Sequence, residues 1–539
     1  MSRKNDRFFQ LKFYQLPYIY RRTFYLVSMS DIQGREQLYS HIFRIAWREL
    51  RPKAVGRISA AGAPGGPGGP GVPGVRHGPA GEAPAAAAAT TAPRAERSAI
   101  SGGASPAANW SAIASLKLNH LLFLVHDRKG ATGLWAGKGN GLFQSFYNYL
   151  SGSFLVKSME ATVILAKAGR ELHTPRLFDL AERMGNFFLS GALDNGLHQD
   201  TFIPWKGSWA SYAAPGAPAE LTGAVNARCN GEVMCAYLRL YELLKQEGRR
   251  RPDFLEVAER NGVFYFTHQL TGEQGGSFGR WWSKEGKPLN TLGTNGAHII
   301  SLLCLLEKLT HSSPRRQQAL ARAAAYYTSL IDQGTYYGDT LDADCVDKEA
   351  GSVLLKAFLD LYEWQPKPQY LEGARKAASF LLSWLWAYNV PWPRRSPAAG
   401  LDLKTRGLTS VSVSHHHLDC YGLAIAYDFL RLAAAGAPGP WRQYGLAMIE
   451  ACAQLVASPQ EPLGRGSRMR GWQPEQLNQT VWDYRHHWLA AKGHFHTCAA
   501  WTVVLTLGAL LAIRERFPEV IDFTFERKFI VHSIEKRFL

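Results

Sequence analysis

Four aspartates crowd into the segment between residues 336 and 349: Asp339, Asp342, Asp344 and Asp347. Neighbouring carboxylates repel each other when they are ionised, so a cluster of this kind keeps some members protonated near neutral pH. A protonated carboxyl group beside a second, ionised one is what the cleavage of a glycosidic bond requires. Asp342, Asp344 and Asp347 are therefore candidate catalytic acids. The alternative for Asp344 or Asp347 alone is that it caps the helix predicted to follow.

A histidine-rich segment, His415-His416-His417-Leu418-Asp419, precedes the next apolar helix that the sequence predicts. Successive side chains point in different directions, so the three histidines cannot all face one cavity. We expect His417 and Asp419 to face the substrate, with Asp419 as the second carboxylate beside Asp347. Two carboxylates on neighbouring helices could then act on one glycosidic bond.

A polar and aromatic segment between residues 471 and 487 precedes the last apolar helix. Tryptophan rings offer flat apolar faces for sugar rings, and side-chain amides offer hydrogen bonds to hydroxyl groups. Glu475 is a further candidate acid in this segment. We expect substrate contacts from Trp472, Gln473, Asn478 and Trp482. The alternative for each tryptophan is that it anchors a long loop to the core.

Further aromatic residues lie in loops ahead of predicted helices, where binding residues tend to be found. The expected substrate contacts among them are Trp205, Trp209, Trp281, Trp282 and Tyr336. The anchoring alternative applies to these residues as well.

A metal site is an alternative, because Cys229, Cys345, Cys420 and Cys498 lie near the starts of apolar helices, with histidines close by. Structural zinc sites normally contain tight pairs such as CxxC, and the sequence has none. Small cysteine side chains at crowded helix contacts explain the pattern without a metal. We therefore expect no metal and no cofactor.

Two segments of the chain repeat one helical pattern. Residues 237–242 read Tyr-Leu-Arg-Leu-Tyr-Glu, residues 358–363 read Phe-Leu-Asp-Leu-Tyr-Glu, and a second helical segment follows each of them. Apolar residues recur every three or four positions, and Pro252, Pro366 and Pro368 mark the turns. Looser copies extend the repeat to six helical pairs, which begin near Met159, Asn226, Asn295, Asp347, His417 and His496.

Six helical pairs can close into a ring of inner helices surrounded by outer helices. The segments from Thr497 to Ile513 and from Asn295 to Leu306 are apolar on all sides, which predicts inner helices. The segments from Arg315 to Ile331 and from Pro368 to Leu382 keep a polar face, which predicts outer helices. The loops ahead of the inner helices would then meet at one end of the ring.

This helical pattern, with acidic, histidine and tryptophan residues ahead of the inner helices, resembles the six-hairpin glycosidase superfamily over residues 111–520. The resemblance implies an all-α (α/α)6 toroid and a carbohydrate-active enzyme. A glycoside hydrolase with paired carboxylates is the first interpretation. The superfamily also contains polysaccharide lyases and sugar epimerases, in which His417 or Tyr336 would abstract a proton. A non-catalytic sugar-binding toroid is the third interpretation.

The ends of the chain differ from the predicted toroid. Residues 1–58 carry 12 Lys or Arg against 4 Asp or Glu and are predicted to form a basic, aromatic extension. Residues 59–110 are rich in Gly, Pro and Ala, which predicts a disordered linker. Residues 521–539 are predicted to be a C-terminal tail.

The composition narrows the class of protein. Apolar residues make up 46% and charged residues 19%, as in a large globular core. The net charge of +17 is densest in the N-terminal extension and is not joined to a nucleic-acid reader motif, so the expected partner is an oligosaccharide or glycoside. The scattered cysteines, the lack of a clear signal peptide and the lack of an apolar run of about 20 residues favour a cytoplasmic protein without a membrane span.

Overall fold

A computed structural model describes residues 108–136, 138, 149–211, 221–341, 344–415, 417–419, 422–479, 492–496, 500–530 and 537. The predicted basic extension and nearly all of the predicted linker lie outside these described residues. Asp342 and Trp482 also lie outside them.

The described part of the chain is mainly helical. Its α-helices are α1 (Trp110–Leu124), α2 (Ser158–Glu171), α3 (Pro175–Leu189), α4 (Ala227–Gln246), α5 (Pro252–Thr267), α6 (His298–Leu309), α7 (Pro314–Gln333), α8 (Lys348–Trp364), α9 (Pro368–Leu381), α10 (Pro397–Gly400), α11 (Leu423–Ala434), α12 (Trp441–Cys452) and α13 (Ala500–Arg516).

Short antiparallel strands lie in the connections between the helices. They are β1 (Val125–Arg128), β2 (Ala131–Leu134), β3 (Leu150–Ser151), β4 (Thr201–Ile203), β5 (Ser208–Ala210), β6 (Val225–Asn226), β7 (Trp281–Trp282), β8 (Pro288–Asn290), β9 (Thr409–Ser410), β10 (Leu418–Asp419), β11 (Gln476–Leu477) and β12 (Phe495–His496). They pair as β1-β2, β3-β4-β5, β6-β7-β8 and β9-β10-β11-β12. Apart from the β1-β2 hairpin, these small sheets pair segments that come from different connections.

Six of the described helices form a closed inner ring. In this ring α2 packs on α4, α4 on α6, α6 on α8, α8 on α11, α11 on α13, and α13 returns to α2. Each of the first five has the next helix in the chain as its outer partner: α3, α5, α7, α9 and α12. The all-α toroid of six hairpins that the sequence predicted is therefore confirmed.

The sixth hairpin differs from the sequence prediction. The sequence placed this pair at the C-terminal end of the toroid, beginning near His496. The outer partner of α13 is instead α1, which precedes all the other described helices in the chain. The amphipathic pattern failed to identify α1 as an outer helix, because Lys117, Asn119 and His120 are buried and Lys117 and Asn119 hydrogen-bond to residues 468–473.

Inner and outer helices begin in different ways. Four outer helices, α3, α5, α7 and α9, start with proline, whose fixed φ and missing N–H suit the first turn of a helix. The inner helices α4 and α8 are capped by the side chains of Asn226 and Asp347. The inner helix α13 is buried along most of its length, as predicted. No helix in the described ranges is both long and apolar enough to span a membrane.

Candidate active site

The inner helices point the same way, so their N-terminal ends and the loops ahead of them meet at one end of the ring. Charged side chains from these positions form a buried group that we call the mouth cluster. Its members are Lys157, Glu160, Arg228, Glu232, His298, Asp339, Asp347 and Glu349. They come from α2, α4, α6 and α8 and from the loops before α2 and α8.

Arg228, in the first turn of α4, connects three carboxylates of the mouth cluster. Its Nε lies 3.0 Å from Glu232 Oε1, and its Nη1 lies 3.4 Å from Asp339 Oδ2 and also donates to Glu349. Burial opposes the charge of this guanidinium, but the carboxylates, Glu349 foremost, raise the pKa of Arg228 well above its usual value. Arg228 therefore remains a cation and holds side chains of two other elements in place.

Lys157 lies directly before α2 and is the second cation of the mouth cluster. Its Nζ is 2.9 Å from Glu232 Oε1 and 3.6 Å from Glu160 Oε2. Burial works against ionisation of Glu232, but Lys157 and Arg228 outweigh it and hold the pKa of Glu232 well below the ordinary range. The backbone of Lys157 has a φ of 55°, a left-handed conformation that is uncommon for lysine and fixes the direction of its side chain.

His298 is the first residue of α6, and it pairs with Asp339 from the loop before α8. The Nε2 of the imidazole lies 3.2 Å from both carboxylate oxygens of Asp339. Burial would raise the pKa of Asp339, but the charges of His298 and Arg228 lower it, so the carboxylate stays ionised. An ionised partner of this kind orients an imidazole ring.

The close approach of α4 to α6 depends on Gly231. A Cβ atom at this position would lie 2.8 Å from the Cβ of His298 and 2.9 Å from its backbone carbonyl atoms. Only glycine fits here without moving one of the helices. The contact brings His298 next to the first turns of α4, which carry Arg228 and Glu232.

Asp347, a predicted catalytic acid, is fully buried and caps α8. Its carboxylate accepts hydrogen bonds from the backbone N–H groups of Ala350 at 2.6 Å, Asp339 at 3.0 Å and Thr340 at 3.1 Å. Burial and the neighbouring carboxylates of Asp339 and Glu349 raise the pKa of Asp347 to about 7. The capping alternative thus describes its contacts, and a catalytic role for Asp347 stays a prediction.

Asp419, the predicted second carboxylate, is also buried. Its Oδ2 lies 2.5 Å from Lys348 Nζ, and its Oδ1 accepts a hydrogen bond from Thr409 Oγ1 at 2.9 Å. Lys348, which follows Asp347 in the chain, is buried and pairs with Asp419, the second predicted carboxylate. His417 is buried as well, with its ring 6.1 Å from the ring of His415.

The remaining predicted acids lie outside the mouth cluster. The side chain of Asp344 is 63% exposed and pairs with Arg280 Nη1 at 2.6 Å. Glu475 is half-buried and lies directly before β11.

The predicted aromatic contacts fall into one exposed residue and several packed ones. Trp205 is 60% exposed, in the turn between β4 and β5. Trp209 donates from Nε1 to Ser190 Oγ at 3.1 Å and packs against Phe187 and Phe202. Only Trp205 among these side chains presents most of its ring to solvent.

The other aromatic candidates are core residues. Trp281 and Trp282 are buried, and Trp282 Nε1 donates to the carbonyl of Phe278 at 3.0 Å. Tyr336 stacks on Phe380 of α9 with ring centroids 3.7 Å apart. These contacts match the anchoring alternative.

The segment before α13 is likewise packed against the protein. The ring of Trp472 is buried beneath the guanidinium of Arg465, 4.0 Å from the ring centroid. Gln473 accepts a hydrogen bond from Lys117 Nζ at 2.7 Å, and Asn478 is fully buried. Their contacts fix the loop, and their substrate-binding role stays a prediction.

Two of the candidate zinc ligands, Cys229 and Cys345, lie among the described residues, where neither forms a disulfide. Burial raises the pKa of the Cys229 thiol well above its usual value. Within the described ranges, no three His, Cys, Asp or Glu side chains are grouped as a metal site requires. Cys420 and Cys498 lie outside the described residues.

Sequence reasoning missed most of the mouth cluster. Arg228, His298 and Glu349 are far apart in the sequence, and each is the first or second residue of an inner helix. Their common position at the starts of inner helices was the available signal, because inner helices pack on both sides and have little room for charge.

A ring of six helical hairpins, with charged side chains at the N-terminal ends of the inner helices α2, α4, α6 and α8, has the fold of the six-hairpin glycosidase-like toroids. No family model and no curated protein matches the chain. A solved D-mannose isomerase matches with a TM-score of 0.50 and 12% identity, over 77% of this chain and 100% of that one.

Two further solved structures are similar. A sugar epimerase from a ruminal bacterium matches with a TM-score of 0.51 and 11% identity, over 75% of this chain and 98% of that one. An unsaturated glucuronyl hydrolase from Bacillus sp. GL1 matches with a TM-score of 0.45 and 10% identity, over 76% of this chain and 97% of that one. At these identities the likeness is one of fold.

Proposed function

We propose that this protein is a carbohydrate-active enzyme that moves a proton at a sugar carbon, as a sugar isomerase or epimerase does. The observation that carries the proposal is the pair of His298 and Asp339, 3.2 Å apart inside the mouth cluster. Histidine is the side chain that most often exchanges protons near neutral pH. A toroid of similar fold acts as a D-mannose isomerase and another as a sugar epimerase, which agrees with this chemistry.

In the proposed reaction, the open-chain sugar lies across the mouth cluster with its carbonyl oxygen facing Arg228. His298 removes the proton from the carbon next to the carbonyl, and the electron pair of that C–H bond forms an enediolate. Return of the proton to the former carbonyl carbon gives the isomer, with the proton of the neighbouring hydroxyl group passing to the former carbonyl oxygen. Return of the proton to the opposite face of the carbon that lost it, with the original carbonyl re-formed, gives the epimer. Asp339 stabilises the imidazolium while the proton is held.

Arg228 is suited to stabilise the enediolate oxygen. Its Nε and Nη1 atoms are engaged by carboxylates and by the Asp339 carbonyl. Its Nη2 atom donates to none of the described residues, so it is available to a substrate oxygen. A fixed cation directed at developing negative charge lowers the barrier of such a step.

The charge of the mouth cluster favours an uncharged sugar. Five carboxyl groups face two permanent cations, Lys157 and Arg228, and both cations are engaged in salt bridges. The excess negative charge would repel a uronate. This argument supports a neutral aldose as substrate and disfavours the polysaccharide lyase among the interpretations of the sequence.

A glycoside hydrolase is the second candidate, because two carboxylates of the mouth cluster remain accessible. The side chains of Glu160 and Glu349 are 30% and 16% exposed. Each has a salt-bridge partner, Lys157 for Glu160 and Arg228 for Glu349, and a proton donor would have to give that partner up. This requirement is why the hydrolase ranks second.

The test is to incubate the full-length protein with glucose, mannose and cellobiose in D2O and follow the products by NMR. We expect a new isomer or epimer that carries deuterium at the reacting carbon. His298→Asn should lower the rate by about 10² to 10⁴, the usual contribution of a positioned acid–base group. His311→Asn is the matched control, because His311 is an exposed histidine between α6 and α7.

Other outcomes would replace the proposal. Release of free sugar from aryl glycosides without deuterium at carbon would favour the hydrolase. Sugar binding without any turnover would favour the non-catalytic toroid. Loss of activity in His417→Asn but not in His298→Asn would return the role of the base to the histidine that the sequence favoured.

A further inference from the structure

An open groove lies beside α1, the outer helix of the sixth hairpin, and no residue of the mouth cluster lines it. Its walls come from the first turns of α1, from the segment after α12 and from the segment after α13. We call it the α1 groove. Its apolar lining consists of Ala112, Ile113, Leu116, Ala453, Val456 and Phe529.

The α1 groove is an exposed apolar surface at the joint that closes the ring. Ile113, Val456 and Phe529 are only half-buried, and the described part of the chain leaves the groove open to solvent. An open apolar surface of this kind usually marks a contact with a further segment or molecule. The small side chains of Ala112 and Ala453 leave room for such a contact between the two walls.

The size of the α1 groove suits aromatic side chains. Its volume is about 360 Å³. An apolar cavity of about 150 Å³ is large enough to hold one benzene molecule. The groove therefore has space for two aromatic rings.

The chain itself contains a segment that matches this space. Residues 39–50 lie outside the described residues, and their sequence places apolar residues at helical spacing. The apolar positions are Tyr39, Ile42, Phe43, Ala46, Trp47 and Leu50. Arg44 and Arg48 would lie on the other side of such a helix. Phe43 and Trp47 are one turn apart, so a helix would present both rings together.

The path of the chain brings this segment back to the α1 groove. Asn109 lines the groove, and it is the second residue of the described chain. Residues 51–108 connect it to the segment and are rich in Gly, Pro and Ala. A flexible chain of this length spans roughly 40 Å, and such a tether gives its end an effective concentration on the order of 1 mM. A weak contact is then sufficient for docking.

We propose that residues 39–50 form an amphipathic helix in the α1 groove, with the rings of Phe43 and Trp47 inside the cavity. The tether favours the chain's own segment over a second copy or a small apolar ligand. Docking would attach the N-terminal extension to the joint between α1 and α13. This contact is independent of the proposed isomerase chemistry, so either proposal can fail alone.

The test is hydrogen–deuterium exchange of the full-length protein, followed by mass spectrometry. We expect the backbone amides of residues 39–50 to exchange at least about tenfold more slowly than those of an unstructured chain. Ile113→Asp and Val456→Asp each place a charge in the groove and should remove this protection. Leu446→Asp is the matched control, because Leu446 is an exposed leucine of α12 outside the groove.

Reciprocal variants in the extension leave the toroid unchanged in sequence. Trp47→Asp should speed the exchange of residues 110–116, which form the α1 wall of the groove. Arg48→Asp changes the neighbouring residue on the polar side and is the matched control. Exchange over α4 should be the same in all the variants, which shows that the ring is intact.

Three results would overturn the proposal. The first is exchange of residues 39–50 at the rate of an unstructured chain in the parent protein. The second is protection that persists in both groove variants, which would place the contact elsewhere. The third is protection that grows with protein concentration, which would assign the groove to the segment of a second copy.

Discussion

The inner ring carries a charged network at each of its two ends, and the two networks are built differently. Towards the C-terminal ends of α8, α11 and α13, Arg431 pairs with Asp360 and with Asp428, each at 2.7 Å. Lys356 pairs with Asp360 at 2.5 Å, and Arg516 pairs with Glu363 at 2.7 Å. We call this group the far network.

The far network has three cations and three carboxylates, whereas the mouth cluster has two permanent cations, five carboxyl groups and His298. Balanced charges that are fully paired hold helices together. An unbalanced buried cluster opposes folding and is retained where chemistry needs it. The comparison therefore supports a structural role for the far network and the catalytic role proposed for the mouth cluster.

The largest effect on stability should come from Arg431→Met. This change leaves the buried carboxylates of Asp360 and Asp428 without their common cation, which typically costs about 3–5 kcal/mol. Urea unfolding measures the loss. Arg442→Met, which breaks an exposed pair with Glu519, should cost less than about 1 kcal/mol. Equal losses in the two variants would remove the structural role of the far network.

The stability of the Asp347→Asn variant, relative to that of the parent, should increase with pH. Because folding raises the pKa of Asp347 from 3.8 to about 7, its contribution to stability is full below pH 3.8 and is lost as the pH rises through 7. Asparagine keeps an acceptor for the N–H of Ala350, but it places an NH2 donor where Asp347 Oδ2 accepts from the N–H groups of Asp339 and Thr340. The variant should therefore be less stable than the parent near pH 4, and this deficit should shrink by on the order of 2 kcal/mol between pH 4 and pH 9.

Thermal unfolding of both proteins between pH 4 and pH 9 measures this difference. A difference that does not change with pH would mean that Asp347 carries no excess charge in the folded protein. The turnover rate of the Asp347→Asn variant tests the predicted catalytic role of Asp347 separately. Unchanged turnover would remove Asp347 from the catalytic roles that the sequence predicted.

Gly231→Ala should lower the activity more than it lowers the stability of the fold. The added methyl group meets His298 at under 3 Å, so α4 and α6 must separate, at a cost of about 1–3 kcal/mol. We expect kcat to fall at least tenfold, because Arg228 and His298 lose their spacing. Gly262→Ala on α5 is the control, since its added methyl group would meet the side chain of Leu306 at 2.6 Å and no residue of the mouth cluster. Equal activity in the two variants would mean that the spacing of α4 and α6 is not critical.

The smallest effect on stability is expected for Trp205→Ala. This ring is mostly exposed, so the free energy of unfolding should change by less than about 0.5 kcal/mol. An increase in KM without a change in kcat would support the substrate contact that the sequence predicted. An unchanged KM would confine substrate recognition to the mouth cluster.

The sequence predicted the ring but little of the mouth cluster, and the reason lies in how each is encoded. The helices follow local periodicity, which is visible in segments such as 295–306 and 368–382. The contacts of the mouth cluster are not local: Arg228 and Glu349 are 121 residues apart, and His298 and Asp339 are 41 apart. The aromatic side chains of Tyr336 and Trp282 led to a prediction of sugar contacts, whereas both are buried in the core.

The union of α1 with α13 determines the order in which the ring can be completed during synthesis. The other hairpins join consecutive helices and can form as the chain emerges, but α1 must wait for the last described helix. The segment after α13 also binds α1, because the backbone N–H groups of Thr524 and Glu526 donate to the side-chain hydroxyl groups of Ser111 and Ser115. In a circular permutant that links residue 530 to residue 108, α13 would be followed directly by α1, so each of the six hairpins would consist of consecutive helices. We expect the ring of this permutant to close co-translationally.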